Sequence, residues 1–356
     1  MAKIRVAVIG IGNCCSGLVQ GVEFYRGKVA KQAPGASHFE LGGYELSDID
    51  FVAAFDISQE KIGKDLTEAI HTEPNNFEKI IEVPSAGVVV KEGFNADVEI
   101  ASRDTDKLSE KSEFYDVLSD VKTDVVVNLI QTGAEKSSVY YAHQALLANS
   151  AFINATPARV ACDARLAELF ERKRLPLVGD DIMSQAGGTV LHRGIVEFLA
   201  DRGVTVENSY QLDVGGGAET YRTLEPASRA LKRQIKTQAI KSSLGQEAEI
   251  VAGTSDFIDF LKNSRASYYW LSGKYFMDTR LEIDLHLRTI DAPNSASVLI
   301  DCIRAAQIAK DRGVGGALLS ICRYGFKRPP DPSTETRSLR EAHEAFLDFV
   351  AGKRQN

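Results

Sequence analysis

The chain has 356 residues, enough for two domains or for one large α/β domain with an insertion. Hydrophobic residues make up 44% and charged residues 26%, and the formal net charge of -7 argues against a nucleic-acid partner, which asks for a basic excess. No apolar run reaches the roughly 18 residues of a membrane span. Met1-Ala2-Lys3 leads at once into a strand, so no membrane and no signal peptide are expected.

Residues 4–9 read as a buried strand that runs into a glycine turn at Gly10 and Gly12. A helix follows through Leu18, Val19, Val22 and Phe24, then a long loop over residues 27–48. Residues 50–56 form a second strand ending in Asp56, and residues 59–71 a helix. Residues 72–114 are mixed and polar and give no clear element. Residues 124–130 are a continuous apolar run, as a parallel strand covered on both faces requires. A helix over 135–149 and strands at 151–154 and 175–181 complete an alternation of strand and helix, which implies a doubly wound α/β sheet of Rossmann type.

The pattern changes after about residue 205. Residues 210–214, 268–276 and 281–290 alternate apolar and polar side chains, the signature of half-exposed strands in an open antiparallel sheet. Helical periodicity returns at 295–312, residues 329–335 read as a turn with three prolines, and an amphipathic helix lies near 336–351. The expected division is a dinucleotide-binding domain at 1–189 and 295–356, with an inserted α+β domain at 190–294. The five cysteines form no Cys-x-x-Cys pair and suit a reducing, cytoplasmic setting, and the six histidines show no metal-binding spacing.

Three stretches carry chemistry. At the glycine turn, Gly10 permits the tight bend, Gly12 lets a pyrophosphate approach, and the helix N-terminus offers unpaired amides. Cys15 stands where the third glycine of the usual fingerprint falls. Asp56 ends the second strand, where an acid accepts hydrogen bonds from a ribose and repels a 2′-phosphate, which favours NAD. A plain helix cap is the competing reading for Asp56. Asp180 and Asp181 end another strand, and Ser184 and Gln185 read as opening a helix whose amides hold phosphate. Lys232 and Lys236, four residues apart on one helical face, suit a phosphate or a developing enolate, although paired lysines are more often solvated.

Read together and in this order, these stretches resemble myo-inositol-1-phosphate synthases of the short bacterial and archaeal form. The resemblance rests on Gly12-Asn13-Cys14, the strand ending in Asp56, Gly179-Asp180-Asp181-Ile182, Lys236-Thr237-Gln238-Ala239, Asp291-Ala292-Pro293-Asn294-Ser295 and residues 309–316. It implies an NAD-dependent cyclase of the isomerase class acting on glucose 6-phosphate. The sugar is oxidised, closed by an intramolecular aldol step and reduced, with NAD recycled. It further implies that Lys232, Lys327 and Asp291 serve the chemistry, and that Lys236, Ser184, Gln185 and Arg280 bind substrate or phosphate. Gly10, Gly12, Asn13, Cys14, Asp56 and Asp181 fall on the cofactor side, and the assembly is a homotetramer.

Three departures stand against the family pattern. Met183 replaces a lysine, which reads as the loss of an active-site cation. Asp213-Val214-Gly215-Gly216-Gly217 replaces an asparagine-bearing segment, and Ala218-Glu219-Thr220-Tyr221-Arg222 also differs. They leave open a variant that closes a five-membered cyclitol phosphate from fructose 6-phosphate. A plain NAD-dependent dehydrogenase and a non-catalytic NAD-binding protein also compete with the cyclase reading.

Overall fold

The apolar run at the N-terminus becomes the strand around which the larger of two main sheets is laid. The computed structural model describes residues 3–28, 33–99, 110–245, 247–330 and 338–354. In chain order the first part comprises β1 (Ile4–Ile9), α1 (Asn13–Tyr25), β2 (Glu40–Leu41), β3 (Tyr44–Glu45), β4 (Ile49–Asp56), α2 (Leu66–Ala69), β5 (Val90–Glu92), α3 (Ala96–Glu99), α4 (Glu113–Asp120), β6 (Val125–Asn128), α5 (Glu135–Leu147), β7 (Ala151–Asn154), α6 (Ala164–Arg172) and β8 (Pro176–Val178). Then come α7 (Gly188–Asp201), β9 (Thr205–Gly215), α8 (Ala218–Arg222), α9 (Pro226–Lys241), β10 (Glu249–Phe257), β11 (Ser264–Tyr275) and β12 (Thr279–Ile290). The chain closes with α10 (Asp291–Asp311), β13 (Gly316–Ala317), α11 (Leu319–Gly325) and α12 (Leu339–Val350).

Seven strands form a parallel sheet in the order β13-β8-β7-β6-β1-β4-β5. The chain leaves β1 for β4 on one side and later enters β6 on the other, so a crevice opens beyond the carboxyl ends of β1 and β6. Apolar residues of β1 and β6 are buried on both faces, one set against α1 and α10, the other against α4 and α5. Gly10 adopts a φ of 86°, and a side chain there would begin 2.8 Å from the Leu129 backbone, so the turn after β1 needs glycine.

The C-terminal helix α10 returns along α1. Gly17 makes this crossing possible, because a Cβ on it would stand 2.6 Å from the Ala292 carbonyl carbon. α12 adds Phe346, Phe349 and Val350 to the same core. No helix among the described residues is long and apolar enough to cross a membrane.

The second sheet has the order β10-β9-β11-β12. Its inner face packs Val206, Ile250, Ala252, Tyr269 and Leu271 against Val196 and Leu199 of α7 and Ile240 of α9. On the outer face Leu212 and Tyr268 are exposed, and the Tyr210 and Trp270 rings stack 5.6 Å apart. The antiparallel expectation holds for β9 with β11 and for β11 with β12. It fails for β10, which runs parallel to β9 because α8 and α9 carry the chain back across the sheet before it re-enters.

Other expectations need correction. Residues 59–71 contain only the short α2, because Gly63 and Leu66 donate their amides to the Val90 and Val88 carbonyls instead of a helix. The loop at 27–48 carries the β2–β3 ribbon, and the unassigned stretch at 72–114 holds β5, α3 and the start of α4, apart from residues 100–109, which lie outside the described residues. The helix expected at 295 starts at Asp291, with Pro293 in its first turn where a missing amide costs nothing. Of the proline turn expected at 329–335, residues 331–335 lie outside the described residues.

Gly17→Ala should force α1 and α10 apart. Thermal or urea unfolding should show a loss of about 1–3 kcal/mol, the usual cost of overpacking. Unchanged stability would contradict the close crossing.

Candidate active site

The crevice continues as one cavity of about 610 Å³, lined at one end by Gly10, Gly12 and Asp56 and at the other by Lys232, Lys236 and Lys327. At the first end, Gly12 has nothing within 4 Å of where a side chain would begin, and α1 has no side-chain cap. The first amides of α1 are thereby left for an anion. The Asp56 carboxylate accepts the Ile11 amide at 2.6 Å and those of Ile57 and Ser58 at 2.8 and 2.9 Å. It braces the glycine turn while lining the cavity. Asn13 accepts the amides of Asn76 and Phe77 at 2.9 and 3.0 Å and so pins that segment beside the turn. Cys14 lines the cavity beside Ser295, and burial raises its thiol pKa. These features fit a dinucleotide: a glycine cradle, open amides and an acid at the end of the adjoining strand.

At the other end the lysines meet buried carboxylates. Asp181, with a φ of 62°, points Oδ1 at Lys327 Nζ (2.9 Å) and Lys232 Nζ (3.4 Å). Lys232 also reaches Glu219 at 3.0 Å, and Glu219 accepts the Thr132 hydroxyl at 2.7 Å. Lys236 donates to Asp213 at 2.5 Å. Arg265 grips Asp291 with contacts of 2.7–3.0 Å.

Protonation follows from this pairing. Burial alone would raise the Asp181 pKa, but the charges of Lys232 and Lys327 overcome it and hold the carboxyl at about 2. Asp213 is likewise held at about 2, against burial, by Lys236 and Arg265. The two lysines on Asp181 then diverge. Burial would lower Lys232, yet Asp181 and Glu219 raise it, so it is a fixed cation. Lys327 is lowered, by burial first and by the Lys232 charge next, against the pull of Asp181.

The structure thus gathers Lys232, Lys236, Lys327, Asp291, Ser184, Asp181 and the glycine-turn residues on one cavity. Asp181, expected on the cofactor side, sits in the lysine cluster. Two expected substrate residues lie elsewhere. Gln185 turns its side chain to the Gly35 carbonyl at 2.9 Å, and its amide is spent on the Asn294 carbonyl. The helix expected there begins only at Gly188, capped by Gly187, so that Gly187, Gly188 and Thr189 line the cavity instead. Arg280 pairs with Glu282 on the exposed edge strand β12, on the side away from the helices. Met183 is buried with its sulfur 3.7 Å from Arg193 and does not line the cavity. A lysine there would point at a guanidinium, so the loss of a cavity cation inferred at Met183 does not hold.

Sequence reasoning misses Arg265 because the alternating pattern is legible only from residue 268, while β11 already begins at Ser264. Asp213 and Glu219 stand out in the sequence only as departures from the family pattern. Their meaning comes from the third dimension, which sets each beside a lysine.

Fold and cavity together define a Rossmann-type α/β protein with a second sheet that brings charged residues to the crevice of the parallel sheet. The myo-inositol-1-phosphate synthase family model matches residues 187–292. Inositol-3-phosphate synthase of Mycolicibacterium smegmatis is 40% identical over 97% of this chain and 98% of its own length. The Mycobacterium tuberculosis protein of the same name is 40% identical over 97% and 96%. The solved structure of Ari2 superposes with a TM-score of 0.80 at 32% identity, covering 98% of this chain and 99% of that one. The chain belongs to the inositol-3-phosphate synthase family.

Asp181→Asn should destabilise the fold at neutral pH by about 2 kcal/mol, the linkage value of a carboxyl held near 2. A carboxyl depressed on folding stabilises above its unfolded pKa and loses that contribution as pH falls through its folded one. The gap between parent and variant in urea denaturation should therefore be full above about pH 5 and close between about pH 4 and 2. A gap independent of pH would contradict the ion-pair account.

Proposed function

We propose that this chain is an NAD-dependent sugar-phosphate cyclase that converts D-glucose 6-phosphate to inositol 1-phosphate. One observation carries the reading: the glycine turn and the three lysines line the same cavity. Family membership supports it, and relatives named inositol-3-phosphate synthase match along nearly the whole chain. It is preferred over five-ring closure because these relatives match along nearly the whole chain, and because one of the three departures behind that alternative, Met183, turns away from the cavity.

Gly10, Gly12, Asn13, Cys14 and Asp56 would hold NAD. Bound there, NAD supplies a hydride acceptor and donor. Lys232, held charged by two carboxylates, stabilises oxyanion character on the open sugar, where an enolate must form for the ring to close. Lys327, whose proton is more easily lost than an ordinary lysine's, is suited to exchange a proton with the oxygen oxidised and later reduced. Asp291, fixed by Arg265, lies at the first turn of α10 on the same cavity and orients the sugar. Ser184 adds a hydroxyl to the lining. A plain dehydrogenase has no need of enolate stabilisation, so the lysine pair on Asp181 favours the cyclase.

Residues 1–189 and 295–356 are proposed as the cofactor domain and 190–294 as the catalytic and assembly domain, so that the second boundary falls within the first turns of α10. The outer face of the second sheet, with Leu212, Tyr210, Tyr268 and Trp270, suits a homotetramer interface. Five free thiols fit a reducing cytoplasm.

Incubation with NAD and glucose 6-phosphate should yield inositol phosphate by NMR without net NADH. Lys232→Ala should abolish this product and leave NAD affinity unchanged; an active variant would remove Lys232 from the chemistry. Leu212→Glu should shift the assembly to a smaller species in light scattering. An unaltered mass would place the interface elsewhere.

A further inference from the structure

Each interior cation at the sugar end of the cavity is already matched. Lys232 and Lys327 share Asp181, and Arg265 is held by Asp291. Lys236, the residue that the family resemblance assigns to phosphate, is bound by Asp213. That carboxylate is 1% exposed and also accepts the Ser267 hydroxyl at 2.6 Å and the Gln211 amide at 2.8 Å. It cannot swing into solvent when a ligand arrives. A phosphomonoester dianion approaching Lys236 meets a neutral pair and a fixed like charge.

Arg222 differs from these. It closes α8, lines the same cavity and is exposed. Its guanidinium has no hydrogen bond or ion pair with any described residue. The element that carries it is anchored on two sides. Asn76 donates to the Gly216 carbonyl at 2.9 Å, and Glu219 is held by Thr132 and Lys232. Arg222 is therefore presented to the cavity from a fixed position, with its five donors free. A guanidinium fork matches phosphate oxygens in a bidentate way that an ammonium cannot.

We propose that Arg222 is the substrate-binding residue that grips the phosphate of the sugar, because Asp213 has taken Lys236 out of that role. The proposal rests on the cyclase reading for its substrate, not for its geometry. It places the phosphate toward α8 and leaves the neutral Lys236–Asp213 pair to face sugar hydroxyls, with Asp213 as acceptor.

The test is calorimetric binding of glucose 6-phosphate to the NAD-loaded protein, with glucose as the unphosphorylated control and NAD titrated separately. R222Q should weaken glucose 6-phosphate by about tenfold or more, the usual worth of a charged hydrogen bond, and leave NAD unchanged. R222K should recover part of the loss. D213N, which frees Lys236, should tighten glucose 6-phosphate severalfold in both backgrounds. If R222Q weakens NAD instead, the anion is the cofactor's pyrophosphate and the proposal is overturned. Equal affinity of parent and R222Q, or no gain in D213N, also overturns it. Tight phosphate-dependent binding by the parent with no cyclitol product would sink the cyclase reading and leave Arg222 in place.

Discussion

A single buried carboxylate, Asp181, organises the catalytic end of this molecule. Its side chain is 2% exposed and faces two lysine ammonium groups. Neither lysine could be buried alone, since an unpaired buried charge costs about 3–5 kcal/mol. The shared acid makes the pair tolerable and also makes its members unlike. Lys232 gains a second carboxylate in Glu219 and stays charged, while Lys327, buried and beside the Lys232 charge, gives up its proton more readily. One anion thus yields two unlike lysines within one cavity, one held charged and one that loses its proton more easily.

Bringing these three side chains together uses the whole topology. Asp181 follows β8 of the parallel sheet, Lys232 rides on α9 over the second sheet, and Lys327 arrives after α11 near the end of the chain. The segments at 180–182 and 326–328 run side by side. Asp180 and Arg328 exchange amide–carbonyl bonds of 2.9 and 3.0 Å, and the Lys327 amide donates to the Asp181 carbonyl at 2.8 Å. That backbone pairing sets Lys327 against Asp181 before any side chain is considered. The return of α10 along α1 then ties the end of the second sheet to the glycine turn, with Gly17 allowing the contact.

Much of this is legible in the sequence where a local rule governs. The continuous apolar strands, the glycine turn with its acid at the next strand end, and the paired lysines each follow from a period or a spacing. Their neighbours are not legible. The parallel entry of β10 depends on a crossover, and the loss of a full helix at 59–71 depends on Val88 and Val90 taking its amides. Gln185 and Arg280 carry suitable chemistry at plausible positions but face away, a matter of which side of a strand or turn they occupy. Asp213, Glu219 and Arg265 matter only because distant chain segments set them beside lysines or an acid. Charge pairing between remote segments has no sequence period.

In the proposed function one cavity joins reversible redox chemistry to enolate stabilisation, so that the sugar regains the hydride it loses. The most direct measurement follows deuterium from glucose 6-phosphate labelled at C5, in the presence of NAD and excess unlabelled NADH. Inositol phosphate should form with the label retained at the corresponding ring carbon and with no change in NADH. Loss of the label to the NADH pool, or a keto sugar released with stoichiometric NADH, would contradict it.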